Sequence, residues 1–245
     1  MKQKTFIKIV SCLALILFSF TFKFATAQSD IAAIDVLLNP GQDMLDSAKA
    51  YNDLMQKNYS GAGSFALDAS HPPHITVLQC FVKTADLEKV YAAVAKVVKS
   101  EKPTEEKLAA NGFYYIPLNG LGLAGITTAT TPKLLQLQSK LIEAVKTYMV
   151  EGTNLAFVPN ANETPVAAPS ADYVNKFIPE YSGTKYNPHV TIGLAHEDFL
   201  KELFAKPYHQ FTFKSSSVSI YHLGDFGTAQ KKLWTTAKKI VSVCN

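Results

Sequence analysis

Two short stretches of the chain combine a proton carrier with a hydroxyl: Pro73-His74-Ile75-Thr76-Val77 and Pro188-His189-Val190-Thr191-Ile192. Residues two apart in a β-strand share a face. In each stretch an imidazole and a hydroxyl therefore point one way, while the branched apolar residues between and after them point into a core. Histidine ionises close to neutrality and can either give or take a proton. A pair facing one cleft could take a proton from an attacking oxygen and return one to a leaving oxygen, which is what opening a phosphodiester requires, above all a strained cyclic one. Thr76 and Thr191, each with a hydroxyl donor, could hold the non-bridging oxygens as charge redistributes. This chemistry calls for no metal and no cofactor. Which histidine would be the acid and which the base is open at this level.

Other residues compete for a role. His71 and His74 form a His-x-x-His, but Pro72 and Pro73 between them forbid a helix, so the rings are not set on adjacent turns as a zinc pair would be. A metal-dependent hydrolase using His71 and His74 is the weaker alternative, and His71 is expected on the rim. His196 and His209 fall near element starts, where solvated or capping roles are the default. In the strand around His222, that ring shares a face with Val218 and Ile220 and reads as structural. Tyr221 would face the other way and could stack on a base, as could Tyr115, Tyr186 or Phe226. A non-enzymatic module binding a nucleotide or phosphate ligand in the same cleft is the main rival. Anion binding needs donors, but it has no use for two groups that titrate near neutrality. The plainest alternative is a pair of strands that are merely polar on their exposed face.

The elements that would position these residues can be read from periodicity. Residues 31–40 read as a buried strand and 41–59 as a helix; 74–82 read as a strand and 84–100 as a helix opened by Thr84. A strand over 112–118, a glycine-rich turn over 119–125 and a strand over 126–130 follow, and Pro132 opens a long amphipathic helix. Residues 152–187, rich in Pro, Asn, Ala and Gly, read as a long loop with one short helix at 171–178, and are expected to form a flap over the cleft, the alternative being a disordered surface excursion. After the second histidine strand come a helix at 197–205, strands at 210–215 and 217–223, and a closing strand at 231–240. Each histidine strand is followed by an acid-capped helix, as if one unit had been duplicated. Strands, helices and hairpins in no strict alternation indicate an α+β, bilobal fold with two mainly antiparallel sheets.

Composition narrows the partners. The first 27 residues carry Lys2, Lys4 and Lys8, an apolar run and a small-residue site ending at Ala27, the pattern of a cleaved secretory signal. The remainder, residues 28–245, is expected to fold as the working domain in the periplasm or outside the cell, without a membrane anchor. Losing the signal removes four lysines from 24 basic residues, leaving 20 to match 20 acidic ones, and the chain contains no arginine. A neutral chain without forked guanidinium donors is a poor grip for long nucleic acid. A small phosphodiester or nucleotide substrate and a monomeric state are expected. Cys80 and Cys244 could pair in an oxidising compartment, although their separation in space cannot be read from sequence.

The paired His74-Ile75-Thr76 and His189-Val190-Thr191 motifs resemble those of the two-histidine (2H) phosphoesterase superfamily, which includes 2′-5′ RNA ligase-like proteins and cyclic nucleotide phosphodiesterases. The similarity extends to "IDVLLNP", "FYYIPLNGLGLAG" with its following helix, and "VSIYHLG". It implies a bilobal fold with a pseudo-twofold axis, with His74 and His189 as the acid and base and Thr76 and Thr191 on the phosphate. The implied substrate is a nucleoside 2′,3′-cyclic phosphate or a 2′-5′-linked nucleotide. The lack of arginine and the export signal depart from the family pattern.

Overall fold

The computed structural model describes residues 30–160 and 165–236; the proposed signal and Cys244 lie outside them. The chain opens with β1 (Ile31–Pro40), α1 (Gln42–Asn58), β2 (Ile75–Lys83) and α2 (Leu87–Glu101), then forms the hairpin β3 (Leu108–Leu118) and β4 (Leu121–Thr128). Next come α3 (Pro132–Val145), β5 (Met149–Val150), α4 (Ala168–Asn175) and α5 (Phe177–Tyr181). The end is β6 (His189–His196), α6 (Glu197–Phe204), β7 (Phe211–Phe213), β8 (Ser215–Leu223) and β9 (Ala229–Thr235). These strands make two antiparallel sheets, ordered β5-β2-β1-β8-β9 and β6-β4-β3-β7. The α+β, two-sheet expectation therefore holds.

Alternation decides what each face does. Ile34, Val36 and Leu38 of β1 share a core with Val90, Val94 and Val98 of α2 and with Leu134, Leu137 and Leu141 of α3. Each fully buried branched side chain of this kind contributes roughly 1.5–3 kcal/mol. α1 and α6 cover the outer face of the second sheet in the same way. Thr131 caps α3 by accepting from Leu134 N at 3.0 Å, a bond worth about 1 kcal/mol. What remains, Ala33, Asp35 and Leu37 of β1 and the partners opposite them, forms the inner face of the first sheet.

Several elements differ from the sequence reading: β3 starts at Leu108 rather than 112, and Thr84 lies in a 3-10 turn ahead of α2 and donates to Asp30 O instead of capping the helix. The turn expected over 119–125 is only Asn119-Gly120, both with positive φ, and residues 121–125 continue as β4. Gly122 and Gly125 are strand residues crossed by rings from β3: a Cβ at Gly125 would lie 2.3 Å from the Tyr114 ring. Glycine in a strand marks such a close approach as readily as a turn. The 152–187 segment holds two helices, α4 and α5, where one was expected. It packs Ala156, Phe157, Val166, Ala171 and Val174 against Ala33, Phe81 and Leu223 at one end of the first sheet's inner face. Among the described residues no helix is long and apolar enough to cross a membrane.

Candidate active site

The strands that carry the histidines are built alike. Between β1 and β2 the register jumps from Val36 opposite Leu78 to Leu37 opposite Thr76, so Val77 is the extra residue of a β-bulge. Between β4 and β6 it jumps from Ala124 opposite Gly193 to Gly125 opposite Thr191, so Ile192 is the extra residue. In each case the bulge immediately follows the motif threonine. A bulged residue loses its place in the ladder, and a buried amide takes its carbonyl. Gln138 of α3 donates to Val77 O at 3.0 Å, and Asn52 of α1 donates to Ile192 O at 2.9 Å. Gly193, at φ +128, is the backbone conformation this second bulge requires, with Asn52 close against it.

The same two amides hold the approaches to the motifs crosswise. Asn52 also donates to Phe65 O and accepts from Leu67 N, on the segment leading into His74. Gln138 accepts from Gly183 N, on the segment leading into His189. Tyr186, three residues before His189, donates its hydroxyl to Thr76 O at 2.7 Å. The two motif strands are thus fastened to each other.

Both imidazoles are held in one orientation. His74 Nδ1 lies 2.8 Å from Pro72 O and His189 Nδ1 lies 2.7 Å from Asn187 O. A carbonyl oxygen can only accept, so Nδ1 carries hydrogen in both rings and Nε2 is left for chemistry. Burial pushes His189 down to about 4, against the bond to Asn187, and positive charge on His74 adds to the effect. His74 and His189 are therefore within electrostatic reach of one another.

The threonines meet different partners. Because the bulge at Val77 brings Thr76 and Gln79 onto one face, both donate to Asp35 Oδ2, at 2.7 and 3.0 Å. Two residues three apart in an unbroken strand would point in opposite directions. Asp35 is fully buried, and His74 Nε2 stands 3.8 Å from the same oxygen. Burial is the largest effect and holds the Asp35 carboxyl above the usual carboxylate range, although His74, Thr76 and Gln79 pull it down. The one hydroxyl hydrogen of Thr76 is engaged here, so a phosphate oxygen can receive it only by displacing Asp35. Thr191 is hydrogen-bonded to the Tyr114 phenol, which burial pushes up, and the Tyr114 ring lies 4.5 Å from that of His189.

Of the aromatic residues singled out from sequence, Tyr221 does lie on the face of Asp35, opposite it in the ladder, but it is only 6% exposed and packs with Leu37 and Ala229. Tyr186 is buried between the motif strands, where it ties rather than stacks. Tyr115 is placed on the opposite face of β3 from Tyr114, against Phe204 and Gly122, because the β3–β4 register sets Tyr114 opposite Gly125. Phe226 is 78% exposed. His71 stacks on Phe65, and His222 donates to Ala156 O at 2.8 Å. No group of three or more His, Cys, Asp or Glu side chains that could hold a metal occurs among the described residues. Cys80 is buried and free among the described residues.

Sequence reasoning missed Asp35, Gln79, Tyr114, Asn52 and Gln138. A lone acid in the apolar run "IAAIDVLLNP" was the available signal for Asp35. The bulges that recruit the others leave no mark in composition or spacing.

No curated protein matches the chain. Solved structures with a similar chain course include TT0787 of Thermus thermophilus, at 13% identity over 84% of this chain and 97% of that one, with a TM-score of 0.45. They also include E. coli LigT complexed with 3′-AMP, at 10% identity, 86% and 99% coverage and a TM-score of 0.44. Kluyveromyces marxianus Usb1 stands at 12% identity, 85% and 98% coverage and a TM-score of 0.36. The family description that matches residues 48–224, a span that takes in both histidine motifs, their bulges and the buried amides behind them, is that of the 2'-5' RNA ligase superfamily, and the chain belongs to it.

Proposed function

We propose that the chain is a phosphoesterase that opens a small phosphodiester, a nucleoside 2′,3′-cyclic phosphate or a short 2′-5′-linked nucleotide, with His74 and His189 exchanging protons on either side of the phosphorus. The observation that carries this reading is the matched pair of rings. Each spends Nδ1–H on the carbonyl two residues back and so keeps Nε2 for the substrate. In the reaction a water oxygen bonds to phosphorus and gives its proton to one Nε2. The bond from phosphorus to the 2′ or 3′ oxygen breaks, and the other ring supplies that oxygen with a proton. Thr191, and Thr76 once it turns from Asp35, would donate to the phosphoryl oxygens. Export after loss of residues 1–27 would put the enzyme where extracellular RNA breakdown leaves cyclic phosphate ends.

The test is turnover of 2′,3′-cyclic nucleotides by purified protein in excess chelator, followed by ³¹P NMR. His74→Ala and His189→Ala should each lower kcat by about 10²–10⁴-fold. Activity that dies with chelator would point to a metal hydrolase. Ligand affinity without turnover would point to a binding module.

A further inference from the structure

The two lobes share a frame but not a charge. Three residues after each motif threonine, the register places Gln79 opposite Asp35 in one lobe and Leu194 opposite Leu123 in the other. A buried carboxyl with two donors on one oxygen thus occurs behind one histidine only. Its second oxygen, Oδ1, and the neighbouring Gln79 Oε1 are buried without a hydrogen-bond partner among the described residues. An uncompensated buried carboxylate is costly, and the only ion-pair partner of Asp35 among those residues is His74.

The other titratable groups around it form no ion pair with Asp35 among the described residues. Cys80 on β2 has its thiol pushed up by burial and by Asp35 itself. Tyr173 on α4 and Tyr186 before β6 both feel Asp35 and are pushed up by burial. Tyr221 lies opposite Asp35 on β8, and the Lys232 ammonium from β9 sits over the Tyr221 ring, 5.5 Å from its centre. His189 of the other lobe, whose ionisation His74 helps to lower, is kept from taking up a proton mainly by burial.

We propose that Asp35 is the positioning residue that makes His74 the proton donor of the reaction and so leaves His189 as the base. This rests on the phosphoesterase reading and assigns the direction that the matched rings alone leave open. The 3.8 Å gap between His74 Nε2 and Asp35 Oδ2 is outside hydrogen-bonding range. The carboxylate therefore favours the charged ring through space without binding its Nε2 hydrogen, which stays available to the leaving oxygen. Water gives a proton to His189 Nε2 as its oxygen bonds to phosphorus. The ester bond breaks, and its oxygen takes the Nε2 proton of His74. His189 then releases its proton to solvent while His74 regains one, so one water is consumed and both rings return to their starting states.

The experiment is a pH titration of ¹⁵N-labelled histidine rings in the full protein and in Asp35→Asn, with kcat/KM profiles on a 2′,3′-cyclic nucleotide in parallel. The substitution keeps the shape and removes the charge. The His74 ring resonances should then titrate at lower pH than in the parent. The basic limb of the profile, which reports the proton donor, should fall with it while the acidic limb stays, and Asp35→Glu should restore the limb in part. Unchanged His74 titration in Asp35→Asn, or movement of the acidic limb instead, overturns the proposal. So does a His74 titration in the parent protein with no accompanying ¹³C change at the Asp35 carboxyl, an arm that needs no variant to fold. Ring titration also needs no turnover, so failure of the phosphoesterase reading shows separately, as a parent protein that opens no cyclic nucleotide.

Discussion

Tyr186 donates its phenolic hydrogen to the backbone carbonyl of Thr76 across 2.7 Å, so the approach to His189 is bonded to the strand that carries His74. A relation between two rings on separate sheets needs such a tie, because each sheet alone fixes only its own motif. Tyr186→Phe keeps the ring and removes the hydrogen. It should cost about 1–2 kcal/mol in urea unfolding and lower kcat more than it raises KM. An unchanged kcat would show that the tie is structural only.

Asn52 and Gln138 supply the corresponding support from behind. Each satisfies the carbonyl of a bulged residue and a backbone group on the approach to the opposite motif. Asn52→Leu and Gln138→Leu should each destabilise by about 1–3 kcal/mol, because a buried carbonyl loses its donor. The double variant should be additive within about 0.5 kcal/mol, since the two serve different bulges. Both should also depress turnover, although neither touches the inner face. Stability loss with full activity would mean that the bulges hold their shape without the amides.

These relations mark the limit of what the sequence discloses. The paired His-x-Thr motifs, the helices behind them and the α+β class follow from spacing and alternation, which are local properties. Which of two adjacent tyrosines faces the cleft depends on register across strands, and Tyr114 rather than Tyr115 meets His189 because Gly125 lies opposite it. Glycines 122 and 125 read as turn residues because nothing local distinguishes a glycine that turns from one that makes room. The face shared by Thr76 and Gln79 exists only through the bulge at Val77, a choice made between strands rather than within one. Asp35 was legible as an oddity in an apolar strand, yet its partners were not.

Gly125 gives a direct test of that close approach. An added Cβ would lie 2.3 Å from the Tyr114 ring, so Gly125→Ala must displace the ring that packs on His189 and bonds Thr191. Turnover should fall by about tenfold or more, as misplacement near a reacting group does. Tyr114→Ala alone should lower it comparably, and the double variant should be little worse than either single one. Independent, multiplicative losses would mean that Gly125 acts by some route other than Tyr114.

The folded protein resists protonating His189, whose ionisation is lowered from 6.5 to about 4, with burial as the main cause. The unfolded chain, with its histidine near 6.5, therefore takes up a proton across a range where the folded chain does not, and acidification through that range favours unfolding. At and above about pH 7.5 neither state binds this proton and the effect is absent. His189→Gln removes the titrating group. The stability of the parent relative to this variant, read from urea unfolding, should therefore be level above about pH 7 and fall steadily between about pH 6.5 and 4. The contributions of Asp35 and the other carboxyls are present in both proteins and largely cancel in the difference. A difference that stays flat down to pH 4 would mean that His189 accepts its proton as readily folded as unfolded, and the ring would then enter the reaction at neutral pH partly charged, a poor base.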